Sequence, residues 1–68
     1  MKTFVLGLKT GGLMENPAWQ VVDIRNVDAE NLRAAKTEWA RVTGHDKSNT
    51  WNPDTHTLWG WQVVQIIA

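Results

Sequence analysis

The chain contains one amphipathic helical pattern, whereas its β-type segments carry apolar residues on both faces. The helical pattern begins after Asp28, a good N-cap residue, and ends before Gly44, a natural helix-closing residue. We therefore predict a helix over residues 29–43. Its apolar stripe is formed by Leu32, Ala35, Trp39 and Val42. Because one helix covers one face of a sheet, the other face is left for a loop or a partner.

Three further segments have the composition of β-strands. In the first, Phe4, Leu6 and Leu8 alternate with other residues at the period of a half-buried strand. The second follows the turn signal Asn16-Pro17, and the third is the longest apolar run of the chain. The predicted strands are residues 3–9, 19–26 and 58–67.

The order of these segments predicts a single α+β domain over residues 1–68, with the arrangement ββαβ. We expect a three- or four-stranded sheet with one α-helix packed on one face. The turn signal Asn52-Pro53-Asp54 lies inside residues 49–57, where its β-forming neighbours favour a short extra hairpin strand. The number of strands depends on whether this hairpin joins the sheet.

Two of the predicted strands share a sequence. Trp-Gln-Val-Val-Asp-Ile at residues 19–24 recurs as Trp-Gln-Val-Val-Gln-Ile at residues 61–66, with five of six residues identical. The same pattern predicts the same facing for both copies. The helix between them provides a crossover that brings the two strands parallel, either as neighbours or on both sides of the first strand.

Alternation divides the repeated strands into two rows of side chains. The tryptophan row is Trp19, Val21, Trp59, Trp61 and Val63, and the valine–isoleucine row is Val22, Ile24, Val64 and Ile66. We expect the helix to cover the valine–isoleucine row, which leaves the tryptophan row open. The opposite assignment exposes the valine–isoleucine row. In a third arrangement, the loop of residues 45–57 covers the open face with Trp51.

Charge and composition exclude several classes of function. Seven basic and seven acidic residues balance, and no basic cluster favours nucleic acid as a partner. The absence of cysteine removes disulfides and cysteine zinc sites, and fits a cytoplasmic location. The apolar run at residues 1–8 is too short for a signal sequence or a membrane span, so we expect no membrane association.

No catalytic motif is present in the sequence. The histidine and aspartate side chains of the polar segment after the helix are His45, Asp46, Asp54 and His56. Their spacing matches no helical i,i+4 ligand pair, and the only serine, Ser48, lies in the same segment without a triad pattern. We predict no enzymatic activity, no cofactor and no metal site. The alternative is a small enzyme or ligand binder that uses the His45–His56 loop.

The order of elements is a strand, a second strand, a helix opening on Asp-Ala-Glu and a closing strand with Trp-x-Val-Val-x-Ile, and the pattern covers roughly residues 19–67. This pattern resembles that of very small bacteriophage-encoded ββαβ proteins. Some proteins of that type, such as phage inhibitors of bacterial RNA polymerase, bind a host protein. The resemblance implies a protein-binding role, although this neutral chain lacks the strongly charged faces of those inhibitors.

Five tryptophans are the compositional outlier in this short chain. Tryptophan combines a large apolar area with a polar N–H group and is enriched at interfaces. We hypothesise a non-enzymatic protein-interaction module whose partner is another protein or a second copy of itself. The alternatives are a homodimeric structural domain and a phage-type inhibitor of a host protein. The predicted partner-binding residues are Trp19, Val21, Trp51, Trp59, Trp61 and Val63.

Overall fold

The computed structural model describes residues 1–13 and 16–67, and for residues 12, 13, 16–19 and 67 it describes the backbone alone. The elements are β1 (Lys2–Leu13), β2 (Asn16–Ala29), α1 (Leu32–Thr43), a 3-10 turn (His45–Lys47), β3 (Trp51–Asn52), β4 (Thr57–Leu58) and β5 (Trp61–Ile67). The sheet order is β2-β1-β5-β4-β3, and all neighbouring strands are antiparallel. The predicted α+β class with one helix is therefore confirmed for the described residues.

The sheet has five strands, rather than the three or four that we expected. A two-residue turn splits the predicted last strand, because Trp59 and Gly60 both have positive φ angles, 53° and 81°. Two consecutive residues of this kind form the tight turn typical of β-hairpins. The hairpin expected within residues 49–57 is present as well, and its two short strands extend the sheet.

The repeated strands β2 and β5 lie on both sides of β1 and run parallel to each other. This is one of the two placements expected from the crossover. The first two strands are longer than predicted, since β1 continues through Gly11, whose φ is 76°, and β2 already begins at Asn16. The register of the β1–β2 pair changes between Gly11 and Leu13.

The helix begins three residues later than predicted. Asn31 is the N-cap, and its side-chain oxygen accepts a 2.9 Å hydrogen bond from the amide of Ala34. Asp28 instead remains in β2, where it pairs with Thr3. Gly44 ends the helix in the left-handed conformation, as expected. Within the described residues, no helix is long and apolar enough to cross a membrane.

The hydrophobic core lies between α1 and one face of the sheet. Trp39 is fully buried and is the largest side chain in it. The helix buries Ala40 rather than Val42. Val42 is 45% exposed, so its placement in the apolar stripe was wrong. The buried apolar residues are Leu6, Leu8, Val27, Ala29, Ala35, Trp39, Ala40, Leu58 and Val63.

The expected assignment of the sheet faces is wrong for β5. Leu8 and Val63 are paired across strands and therefore share a face, and both are buried against the helix side. Trp61 lies half-buried on the same side and packs against the core. Alternation turns Val64 to the opposite side of the sheet, and Ile66 is also partly exposed. We call that opposite side the open face.

Candidate interaction surface

A β-bulge in β2 decides which side chains reach the open face. Val22 is opposite Leu8 and Arg25 is opposite Leu6, so β2 has one more residue than β1 in this stretch. The extra residue is accommodated at Asp23, whose φ of 54° is unusual for a residue other than glycine. A bulge of this kind reverses the facing of the strand beyond it.

Contacts from the helix side hold this bulge. The indole Nε1 of Trp39 donates a 2.8 Å hydrogen bond to the backbone oxygen of Asp23. The carboxylate of Asp23 lies 2.8 Å from Nε2 of His45, and the His45 ring packs on Trp39 with centroids 5.3 Å apart. The main-chain carbonyl of Asp23 is thus held by the helix, and its side chain by the 3-10 turn that follows the helix.

The bulge reconciles the apolar pattern of β2 with the single core. Val22 and Val27 are five residues apart, so in a regular strand they would face opposite sides. With one residue inserted between them, Val22 packs against the core and Val27 is buried in it. Ile24, beside the bulge, is left 51% exposed.

The two copies of the repeat consequently face opposite ways. Val63 is buried under the helix, while its counterpart Val21 lies half-buried on the open face. Val22 packs against the core, while its counterpart Val64 lies on the open face. The prediction that identical sequences would have identical facing is wrong, because each strand is set by its own register against β1.

The open face carries an aliphatic patch, which we define as Val21, Ile24, Val64 and Ile66. Ile24 and Ile66 are 51% and 39% exposed, so both side chains project into solvent. No helix or loop among the described residues packs over them. The patch therefore leaves part of this small protein's aliphatic surface in water, at a cost of about 25 cal/mol per Å².

Gly7 lies beneath the patch. A β-carbon placed there would be 2.4 Å from Cγ1 of Val21 and 3.2 Å from Cγ1 of Ile24, so these two side chains close over the glycine. Beside them is an open groove of about 310 Å³. It is lined by Lys9, Val21, Val64, Gln65 and Ile66. The open face thus has both projecting aliphatic groups and a recess.

Trp59 and Trp61 form a second apolar feature, at the turn between β4 and β5. Their rings are 5.9 Å apart and nearly perpendicular, which is a favoured edge-to-face geometry. Trp59 is 60% exposed and has a φ of 53°. Asparagine, aspartate or glycine is the usual residue at such a turn position. Trp59 therefore exposes an aromatic ring at a position where tryptophan does not favour the backbone conformation.

Trp51 lies on the helix side of the sheet. Its ring is 6.3 Å from that of Trp39 and 5.9 Å from that of His56, and it packs half-buried against the core. The arrangement in which the loop of residues 45–57 covers the open face with Trp51 is therefore wrong. The side chain of Trp19 lies outside the described residues, and its backbone is paired with Gly11.

The two histidines do not converge. His45 contacts Asp23, whereas His56 lies on the other side of the Trp39–Trp51 pair, with its Nε2 3.1 Å from the hydroxyl of Thr37. Burial, followed by the positive charges of Lys36 and Arg33, lowers the pKa of His56. No group of three or more potential metal ligands occurs among the described residues.

The charges described on the open face of the three long strands lie at its opposite ends. Lys9 is at one end, next to the patch. Asp28 is at the other end, opposite Thr3, whose hydroxyl donates a 2.6 Å hydrogen bond to its carboxylate. Thr3 and Lys9 are six residues apart on β1, which corresponds to about 20 Å along the strand.

Comparisons of the chain with known protein families, with characterised proteins and with solved structures find no match. The predicted site residues therefore stand on the geometry alone. Val21 lies in the aliphatic patch and Trp59 is exposed, whereas Val63 is part of the core. Ile24, Val64 and Ile66 were absent from the predicted partner-binding residues. Their apolar row was visible in the sequence, but the bulge that divides it was not.

Proposed function

We propose that this chain is a non-enzymatic protein-interaction module whose binding surface is the aliphatic patch of the open face. One observation carries the proposal: Ile24 is 51% exposed in a chain with few residues available for its core. Apolar patches on an otherwise polar surface are typical of protein–protein contact sites.

The position of the patch supports this function. It lies on the three long strands β2, β1 and β5, on the face opposite the helix, so partner binding requires no rearrangement of the core. Projecting aliphatic side chains next to a recess favour shape-complementary packing with another protein. A role as an enzyme finds no support in the two separated histidines, and the absence of activity stays a prediction.

The proposal is tested with the double variant Ile24→Thr, Ile66→Thr. Threonine retains β-branching and strand propensity but removes apolar area. We expect the free energy of unfolding to change by no more than about 1 kcal/mol, because both side chains are largely outside the core. Binding of an apolar fluorescent dye, or association at high concentration, should fall clearly below that of the wild type.

Val42→Thr is the matched control, because Val42 is 45% exposed on the helix rather than on the sheet. It should leave dye binding and association at the wild-type level. Loss of several kcal/mol of stability in the double variant would show that the patch is needed for folding itself. That result, or a wild type that neither binds dye nor associates, contradicts the proposed function.

A further inference from the structure

We infer that the partner of the aliphatic patch is a second copy of this chain, bound face to face so that the two open faces form a sheet-on-sheet interface. The inference rests on the proposed function, because it names the occupant of the same surface. In a two-fold dimer, each patch packs against the partner's patch, so one apolar surface satisfies both molecules.

The shape of the molecule fits this arrangement. Its principal extents are 40 × 28 × 17 Å, and the thin dimension corresponds to one helix layer on one sheet layer. The broad face is therefore large enough for the roughly 800 Å² that each partner contributes to a standard interface. Two aliphatic sheet faces pack about 10 Å apart in β-sandwiches, in the same manner.

Charge complementarity favours a copy of the same chain and also fixes its orientation. The two-fold axis lies between the two sheets, runs perpendicular to the strands and passes near the middle of β1. The strands of the partner therefore run in the opposite direction. Lys9 of one molecule then lies over the end that carries Thr3 and Asp28 in the other. The operation produces this Lys9–Asp28 contact twice, and the net charge of zero adds no repulsion between copies.

The edges of the sheet are poorer surfaces for self-association. The outer edge of β2 is interrupted by the bulge at Asp23. On the opposite side, β3 and β4 have two residues each, and β4 pairs with β5 at Trp61 and Gln62, so the rest of the described part of β5 is a further short edge. Bulges and short edge strands are the features that discourage edge-to-edge pairing. Among the described surfaces, stacking of the open faces is therefore the arrangement that buries the aliphatic patch.

Sedimentation equilibrium of the intact chain measures the association. We expect a concentration-dependent shift from a 7.7 kDa monomer to twice that mass. The variant Ile24→Lys should abolish the shift, since it places a charge at the centre of the interface. The control Val42→Lys, on the exposed side of the helix, should dimerise as the wild type does.

Charge reversal tests the orientation. Lys9→Glu and Asp28→Lys should each weaken dimerisation by roughly tenfold, because each brings like charges together at two equivalent places. The double variant Lys9→Glu, Asp28→Lys should recover affinity close to that of the wild type. Recovery cannot arise within one molecule, because the two positions are about 20 Å apart along the sheet.

The outcomes separate this inference from the proposed function. A chain that remains monomeric at all concentrations overturns the dimer but leaves the open face available to a different protein. A dimer that is indifferent to Ile24→Lys overturns the face-to-face contact. A third outcome is a dimer that Ile24→Lys abolishes, but in which the double variant Lys9→Glu, Asp28→Lys dimerises no more tightly than the single charge reversals. That outcome overturns the two-fold arrangement. The interaction function itself is tested by the dye binding of the wild type and of the threonine variants of the preceding section.

Discussion

The two copies of Trp-Gln-Val-Val are the same sequence in two different structural roles. In β5 the copy turns Val63 into the core, where it is 2% exposed, and Val64 toward the open face. In β2 the copy turns Val22 toward the core and Val21 toward the open face. The facing of a β-residue is therefore fixed by register against its neighbour and not by the local sequence.

The comparison also identifies the residue at which the register of β2 against β1 changes. Asp23, just after the copy in β2, provides the extra residue, and Trp39 holds its carbonyl from the helix side. The core and the open face are thus coupled: the residue at the centre of the core positions the residues of the aliphatic patch. The predictions below test this coupling.

Trp39→Ala should produce the largest effect, a loss of about 3–5 kcal/mol in the free energy of unfolding. The reason is the removal of a fully buried indole together with its hydrogen bond to Asp23. Urea unfolding followed by circular dichroism measures the loss. Trp59→Ala is the control, and it should cost far less because Trp59 is 60% exposed. Equal losses for the two variants would contradict the placement of Trp39 alone at the centre.

Val63→Ala should cost about 2–3 kcal/mol, whereas Val21→Ala should cost less than about 1 kcal/mol. The two valines occupy the same place in the repeat, so the local sequence contributes equally to both measurements. Val63 leaves a cavity in the core, while Val21 is half-buried at the surface. Chemical unfolding of the two variants measures the difference. A reversed order would place the copies the other way round.

Gly7→Ala should destabilise by about 1–3 kcal/mol, because overpacking forces neighbouring groups to move. The new methyl group would lie 2.4 Å from Cγ1 of Val21 and 3.1 Å from the backbone oxygen of Val22. The double variant Gly7→Ala, Val21→Ala should recover part of the loss, since it removes the nearest obstructing atom. No recovery would indicate that the backbone, rather than the patch side chain, limits the space.

A lower pH should reduce the free energy of unfolding through the protonation of His56. Burial, and then Lys36 and Arg33, lower the pKa of His56 from its ordinary value of 6.5. The unfolded chain then binds the proton more readily than the folded chain. The stability that neutral His56 contributes is therefore fully present above pH 6.5 and falls as the pH drops toward the lowered pKa. Unfolding free energies at about pH 7 and about pH 5 measure the loss.

His56→Asn is the matching variant for the pH experiment. Asparagine tolerates the φ of 53° at this position and does not titrate in this range. The part of the pH dependence that belongs to His56 should therefore disappear in this variant. An unchanged pH profile would show that the His56 ring does not carry the effect.

The sequence permitted a correct prediction of the elements that depend on local patterns. Gly44 marked the end of the helix, and Asn52-Pro53 marked a hairpin that is present. The α+β class followed from the same signals. The start of the helix was misplaced, because Asp28 is as good a capping residue as Asn31 and only its pairing with Thr3 keeps it in β2.

The candidate site was less accessible to sequence reasoning. Aspartate at position 23 does not by itself predict a bulge with a positive φ angle. Tryptophan at position 59 is an unfavourable residue type for the positive φ angle that the turn requires. Without the bulge, alternation assigns Val22 and Ile24 to the same face. The spacing of five residues between Val22 and Val27 was the one available sign that the strand changes phase.

Thiol labelling tests the central claim most directly, because the chain contains no cysteine of its own. Val21→Cys and Val63→Cys occupy equivalent places in the repeat, and their reaction rates with an aromatic disulfide reagent are compared at the lowest usable concentration. We expect the cysteine at position 21 to react at least roughly a hundredfold faster, since the one at position 63 must await opening of the core. Equal rates, or faster labelling at position 63, would contradict the opposite facing of the two copies.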